Sequence, residues 1–237
     1  MHRLPLRLIK NKIMTSRRIK SNTFFLYYSI ALLFVALIGF GVNALLNYEK
    51  LVPASVLVIA HGISMFTWYV LVVLQSRLIK KGNYKTHISL GKTSVLLAVA
   101  IVISGFWMSL DFYKMTKVHR LFTINLFLLI NFIVLYSLAL YYRKIPDKHK
   151  RFILFAGISM MIPALARIAR IIGYSPSISF YLLLILLAVP IIYDYCRLYK
   201  IHTATILGVS LNIVNYYFAT SLISSEKWVK LLDSTIG

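Results

Sequence analysis

Acidic residues are scarce in this 237-residue chain: 6 Asp and Glu stand against 27 Lys and Arg. Charged residues of both signs make up only 14%, against roughly 25% in ordinary soluble domains. Hydrophobic residues make up 59% and the mean hydropathy is +0.78. Such a composition cannot cover a water-facing surface, so a soluble globular fold is excluded. The chain has a single cysteine, Cys196, which excludes an internal disulfide framework and a cysteine-based zinc site. Cys196 stands beside Arg197 near a membrane boundary and reads as a buried apolar thiol, with lipidation as the alternative. Long polar loops are absent, which leaves no room for an appended soluble domain. HExxH, CxxC, a Gly-rich phosphate loop and a Ser/His/Asp spacing are all absent, so none of the chemistries those motifs announce is indicated. The net charge of +21 is not a nucleic-acid footprint, because no aromatic-studded basic groove accompanies it.

What the chain does have is long apolar runs separated by short basic segments. A bilayer core is crossed by about 20 apolar residues in a helix, and lipid offers no partner to an unpaired backbone amide. Seven runs qualify: Phe24 to Leu46, Val52 to Leu78, Ile88 to Leu110, Leu121 to Tyr142, Phe152 to Ile172, Ser179 to Tyr195 and Ile201 to Leu222. The expected fold is therefore all-α, a polytopic membrane bundle of about seven transmembrane helices. It divides into a basic N-terminal arm over 1–22, a seven-span domain over 23–223 and a short amphipathic tail over 224–237. No small-residue cleavage site follows the first run, which reads as an uncleaved span.

Orientation follows from the basic residues. With the N-terminus inside, 19 of the 27 Lys and Arg fall on the inner side and 8 on the outer; loops rich in Lys and Arg stay cytoplasmic. The expected localisation is the inner (plasma) membrane, with the N-terminus cytoplasmic and the C-terminus extracytoplasmic. The expected partners are the lipid bilayer and anionic headgroups on the cytoplasmic side, and no nucleic acid; a homo-oligomer stays open.

Ionisable groups inside a span are costly and draw attention. His61 lies about eight residues, or roughly 12 Å, into the second run; the bland reading is a neutral imidazole hydrogen-bonded to a neighbouring helix. Arg167 and Arg170 lie one turn apart in the fifth run, and a guanidinium at that depth must snorkel or face an anion. His87, His149 and His202 open the third, fifth and seventh spans on the inner side, and Asp194 ends the sixth. His119 opens the fourth span on the outer side. Spans two to five thus carry one histidine each, on alternating sides. Haem iron accepts two axial imidazoles, so His61 with His119 and His87 with His149 could each clamp a b-type haem, with Arg167 near the propionates.

The segment His61-Gly62-Ile63-Ser64-Met65 with Trp68, followed by His87 and Leu90-Gly91, resembles the di-haem, ascorbate-reducible transmembrane cytochrome b family, over about 100 residues. That resemblance implies transmembrane electron transfer. A longer likeness is to an uncharacterised family of bacterial multi-pass membrane proteins. It runs through His61 to Gln75, Thr86 to Gly91, Asp147 to Arg151, Pro163 to Arg167, Tyr193-Asp194 and His202 to Thr205. It implies that His61, His87, His149, Arg167, Asp194 and His202 form one shared pattern, to which His119 does not belong.

Three readings stand at this level. One is a haem-binding electron-transfer protein. Another is a metal-dependent membrane enzyme holding Zn or Fe through His87, His149, His202 and Asp194. The third is a transporter or sensor of a small anion through a pocket of His61 and Arg167. Asn125, Asn131, Asn212 and Asn215 could line a path or act as interhelical glue. Gly105, Gly157 and Gly208 read as close helix packing.

Overall fold

The computed structural model describes residues 23–46 and 55–236, so the basic arm over 1–22 lies outside the described residues. Within them every regular element is helical. Six helices are long and apolar enough to cross a membrane: α1 (Thr23–Leu46), α2 (Val56–Lys80), α3 (Tyr84–Thr116), α4 (His119–Tyr141), α7 and α8. The last two are α7 (Ser179–Leu198, entered through a 3-10 turn at Pro176–Ile178) and α8 (Thr203–Ile223). The fifth expected span is instead a bent pair, α5 (Pro146–Ser159) and α6 (Ile162–Ile171), which meet at 48°; counted as one crossing it makes seven. A short α9 (Glu226–Thr235) follows.

The bend has a local cause. Proline has no N–H to give the carbonyl four residues back, and its ring crowds that carbonyl. Pro163 therefore cannot continue the helix past Ser159, yet it fits the first turn of α6. The end of α5 tightens instead, with the Met161 amide donating to the Ile158 carbonyl at 3.0 Å. The Tyr69 hydroxyl from α2 donates to the Gly157 carbonyl at 2.9 Å. Pro190, inside α7, poses the same problem and is answered differently. It frees the Leu186 carbonyl, and Tyr28 of α1 donates to that oxygen at 2.5 Å.

The helix ends are written in short polar signals. Ser55, Asn83 and Ser225 accept an amide of the first turn of α2, α3 and α9, the usual work of an N-cap. Short turns make consecutive helices antiparallel neighbours. The connections at 81–83, 142–145 and 199–202 therefore gather at one end, which also carries most of the described basic residues. We call it the basic end.

The core lies where α2, α3, α4, α5 and α8 pack together. Trp68 sits edge-on to Phe132 and Tyr136, at ring separations of 4.9 and 5.3 Å. Much of the remaining apolar surface faces outward: Leu96 is 74% exposed and Ile185 62%. In water that exposure would be costly; in lipid it is the wetted surface. The chain is a multi-pass membrane protein. Asn131 of α4 donates to Asn212 of α8 at 3.2 Å, both buried, so this pair is interhelical glue. A Cβ on Gly208 would overlap the Phe155 ring, and one on Gly105 would come within 2.9 Å of the His61 ring; Gly157 meets only ordinary contacts. Cys196 is exposed, which corrects the buried reading: at the end of α7 its side of the helix has no packing neighbour to cover it.

Candidate functional site

Two polar clusters form at the basic end. In the first, His87 of α3 and His149 of α5 stand with ring centroids 6.4 Å apart and planes at 86°. His149 Nδ1 lies 2.8 Å from the Ala139 carbonyl. A carbonyl can only accept, so Nδ1 carries the proton and the lone pair is on Nε2. This is the orientation that ligating imidazoles commonly take. His87 Nδ1 is buried and has no hydrogen-bond partner, and the same is true of Gln75 Oε1 on α2. Gln75 also faces Gly91, one turn beyond His87 on α3: its Nε2 lies 3.8 Å from where a Cβ on Gly91 would be.

The second cluster joins three helices around one carboxylate. Asp194 of α7 is 1% exposed and Arg151 of α5 is 3% exposed. Asp194 accepts from Arg151 through both carboxylate oxygens, from the Thr205 hydroxyl of α8 and from the His202 amide at 3.1 Å. Arg151 also donates to Thr205 Oγ1 at 3.1 Å and to the Asp147 carbonyl at 2.8 Å. A buried ion pair persists when hydrogen bonds satisfy its remaining lone pairs and protons, and here they do. His202 caps α8: its Nδ1 accepts from the Ala204 amide at 3.1 Å, so a neutral ring carries its proton on Nε2. Burial first, and then the nearby Arg151 charge, hold this imidazole below its ordinary pKa.

The four residues expected to share a metal are thus sorted into two sets. His87 and His149 face each other, whereas Asp194 and His202 are engaged with Arg151, Thr205 and the start of α8. Among the described residues no group of three His, Cys, Asp or Glu is gathered around one point.

The outer residues are dispersed. Ser104 spends its one hydroxyl proton on the Ala100 carbonyl at 2.6 Å, so it accepts from His61 Nδ1 at 3.0 Å. This is the bland reading of His61, realised across α2 and α3. His119 lies 15 positions beyond Ser104 in sequence, at the far end of α3, about 18 Å away along the helix. There it lines a shallow groove with the Ile223–Lys230 segment, so His61 and His119 do not form a pair. Arg167 faces α1, with its guanidinium 4.4 Å from the centre of the Phe40 ring and Nη1 donating to the Pro163 carbonyl at 2.9 Å. His61 and Arg167 therefore have different neighbours. Arg151 was not singled out from the sequence, where it stands in a basic run. The available signal was Asp194, since a buried acid in a span needs a cation. No family model matches the chain, and no curated protein or solved structure is significantly similar to it.

Proposed function

We propose that this is a haem-binding membrane protein in which His87 and His149 would hold one b-type haem at the basic end, and that its role is electron transfer. The supporting observation is the separation of the two rings. Their centroids stand 6.4 Å apart on two different helices, close enough that both imidazoles would reach one iron held between them, at the usual nitrogen–metal distance of about 2.0–2.1 Å. The Ala139 carbonyl fixes the His149 tautomer, and the buried Nδ1 of His87 has no hydrogen-bond partner among the described residues to occupy it. When bound there, a haem would supply one-electron redox chemistry, and His87, His149 and the apolar side chains around them would tune its potential. The excess of Lys and Arg at this end supports a cytoplasmic placement for it, in the inner membrane.

The test is an absorption spectrum of purified protein from haem-supplemented cells, oxidised and then reduced. We expect a Soret band that shifts on reduction, lost in His87→Ala and His149→Ala and kept in His61→Ala and His119→Ala. A colourless wild-type protein would overturn the proposal.

A further inference from the structure

At the opposite end, Arg167 has no carboxylate partner among the described residues. A guanidinium stays protonated at any depth, and burying it without a counter-charge is costly. Arg167 is half-buried. Its polar contacts are the Pro163 carbonyl and the face of Phe40. Arg170, one turn on and on the same face, is exposed and reaches only the Ala166 carbonyl, at 3.4 Å. Among the described residues the ion pairs are those of Asp147 and Asp194 with Lys150 and Arg151, all at the basic end. Two cations therefore stand together with no carboxylate among the described residues beside them.

The backbone around them is specialised. α1 contains a π-helical turn, Ile38–Val42, of the kind that is rare and frequent at functional sites. Its Gly39 packs so close to α6 that a Cβ would come within 2.6 Å of the Ala164 carbonyl. That approach sets Phe40 under Arg167. Phe40 is itself 46% exposed. Leu45 and Leu46 of α1, and Ile172 and Tyr174 just past α6, are exposed as well.

We propose that Arg167 and Arg170 bind the phosphate of a membrane phospholipid, with Phe40 and the surrounding apolar side chains along its acyl chains. The guanidinium fork matches two phosphate oxygens. A lipid, rather than a free anion, is the occupant because the pair is framed by apolar surface where only a lipid brings phosphate and hydrocarbon together.

Native mass spectrometry of the full-length protein in detergent tests this, with phosphatidylglycerol as probe and diacylglycerol of the same chains as its phosphate-free control. Each lost charge-assisted contact should weaken binding about tenfold or more. Phosphatidylglycerol should be retained over diacylglycerol by wild type and by Lys80→Gln/Lys81→Gln, and weakened about a hundredfold in Arg167→Gln/Arg170→Gln. Should that double variant fail to fold, Arg170→Gln alone, at an exposed side chain, should still show the loss. Undiminished phosphatidylglycerol binding in the arginine variants, or equal retention of diacylglycerol, would overturn the site. Displacement of the lipid by inorganic phosphate at equal concentration would overturn the lipid as its occupant.

Discussion

Replacing Asp194 with Asn removes the charge that balances Arg151 while keeping nearly the same shape. Breaking a buried pair by removing one partner costs about 3–5 kcal/mol, because the other charge stays buried. Arg151 would keep its bonds to the Asp147 carbonyl and to Thr205 Oγ1, which places the expected cost near the lower bound, about 3 kcal/mol. For a chain of this size each kcal/mol shifts the melting midpoint by about 2–4 °C, so Asp194→Asn should lower it by roughly 6–12 °C. The assay is thermal unfolding of the purified protein in detergent, followed by helical circular dichroism. The double variant Arg151→Met/Asp194→Leu removes both charges and, by the same principle, should recover most of the loss. The reasoning fails if Asp194→Asn melts within about 2 °C of wild type, a shift worth no more than an ordinary surface pair, or if the double variant is no better than the single one.

Two further outcomes follow from the packing and capping already described. Gly208→Ala pushes a methyl group into the Phe155 ring and should cost about 1–3 kcal/mol, as overpacking does; Phe155→Leu in the same chain should relieve part of that cost, and additive losses in a double-mutant cycle would refute the contact. Burial first, and then the Arg151 charge, lowers the pKa of His202 in the folded protein, so the unfolded chain takes up its proton first as pH falls. Its contribution is complete above about pH 6.5 and shrinks below that value. His202→Asn keeps a good N-cap and removes the titration, so the melting midpoint of wild type should drop more between pH 7.5 and pH 5 than that of the variant; parallel curves would refute the assignment.

The spans were legible because a run such as Phe24 to Leu46 has no charge to place anywhere but at its ends, and the helices follow those runs closely. Pro163 was equally visible, and reading Phe152 to Ile172 as one crossing overlooked what a proline does to the carbonyl of Ser159. The candidate site was harder to read. Histidines at the starts of α3 and α5 can be placed at one end of a bundle from sequence, but whether their rings meet depends on how α3 and α5 are disposed around α4. That disposition is set by contacts such as Phe155 on Gly208, which leave no local signal. The partner of His61 was one serine among many until α2 and α3 were set in register. Arg151 looked like a loop charge because its neighbours are Lys148 and Lys150; only the helical turn from Asp147 carries it inward.

The break between α5 and α6 separates two sets of neighbours. α5 is fastened to α4 and α8, whereas α6 is fastened to α7 and to the π-helical turn of α1. Met160 and Met161 thus sit at a joint between two sets of neighbours, with α1 touching both (Ser29 lies 3.3 Å from Ser76 of α2, and Phe24 stacks on Tyr193 of α7), and the seam between the sets reaches the basic end between α7 and α8. Arg151, Asp194 and Thr205 lie across that seam and close it like a clasp. Loosening one carboxylate at the rim would therefore release α7 from α5 about 14 Å along that helix from the joint.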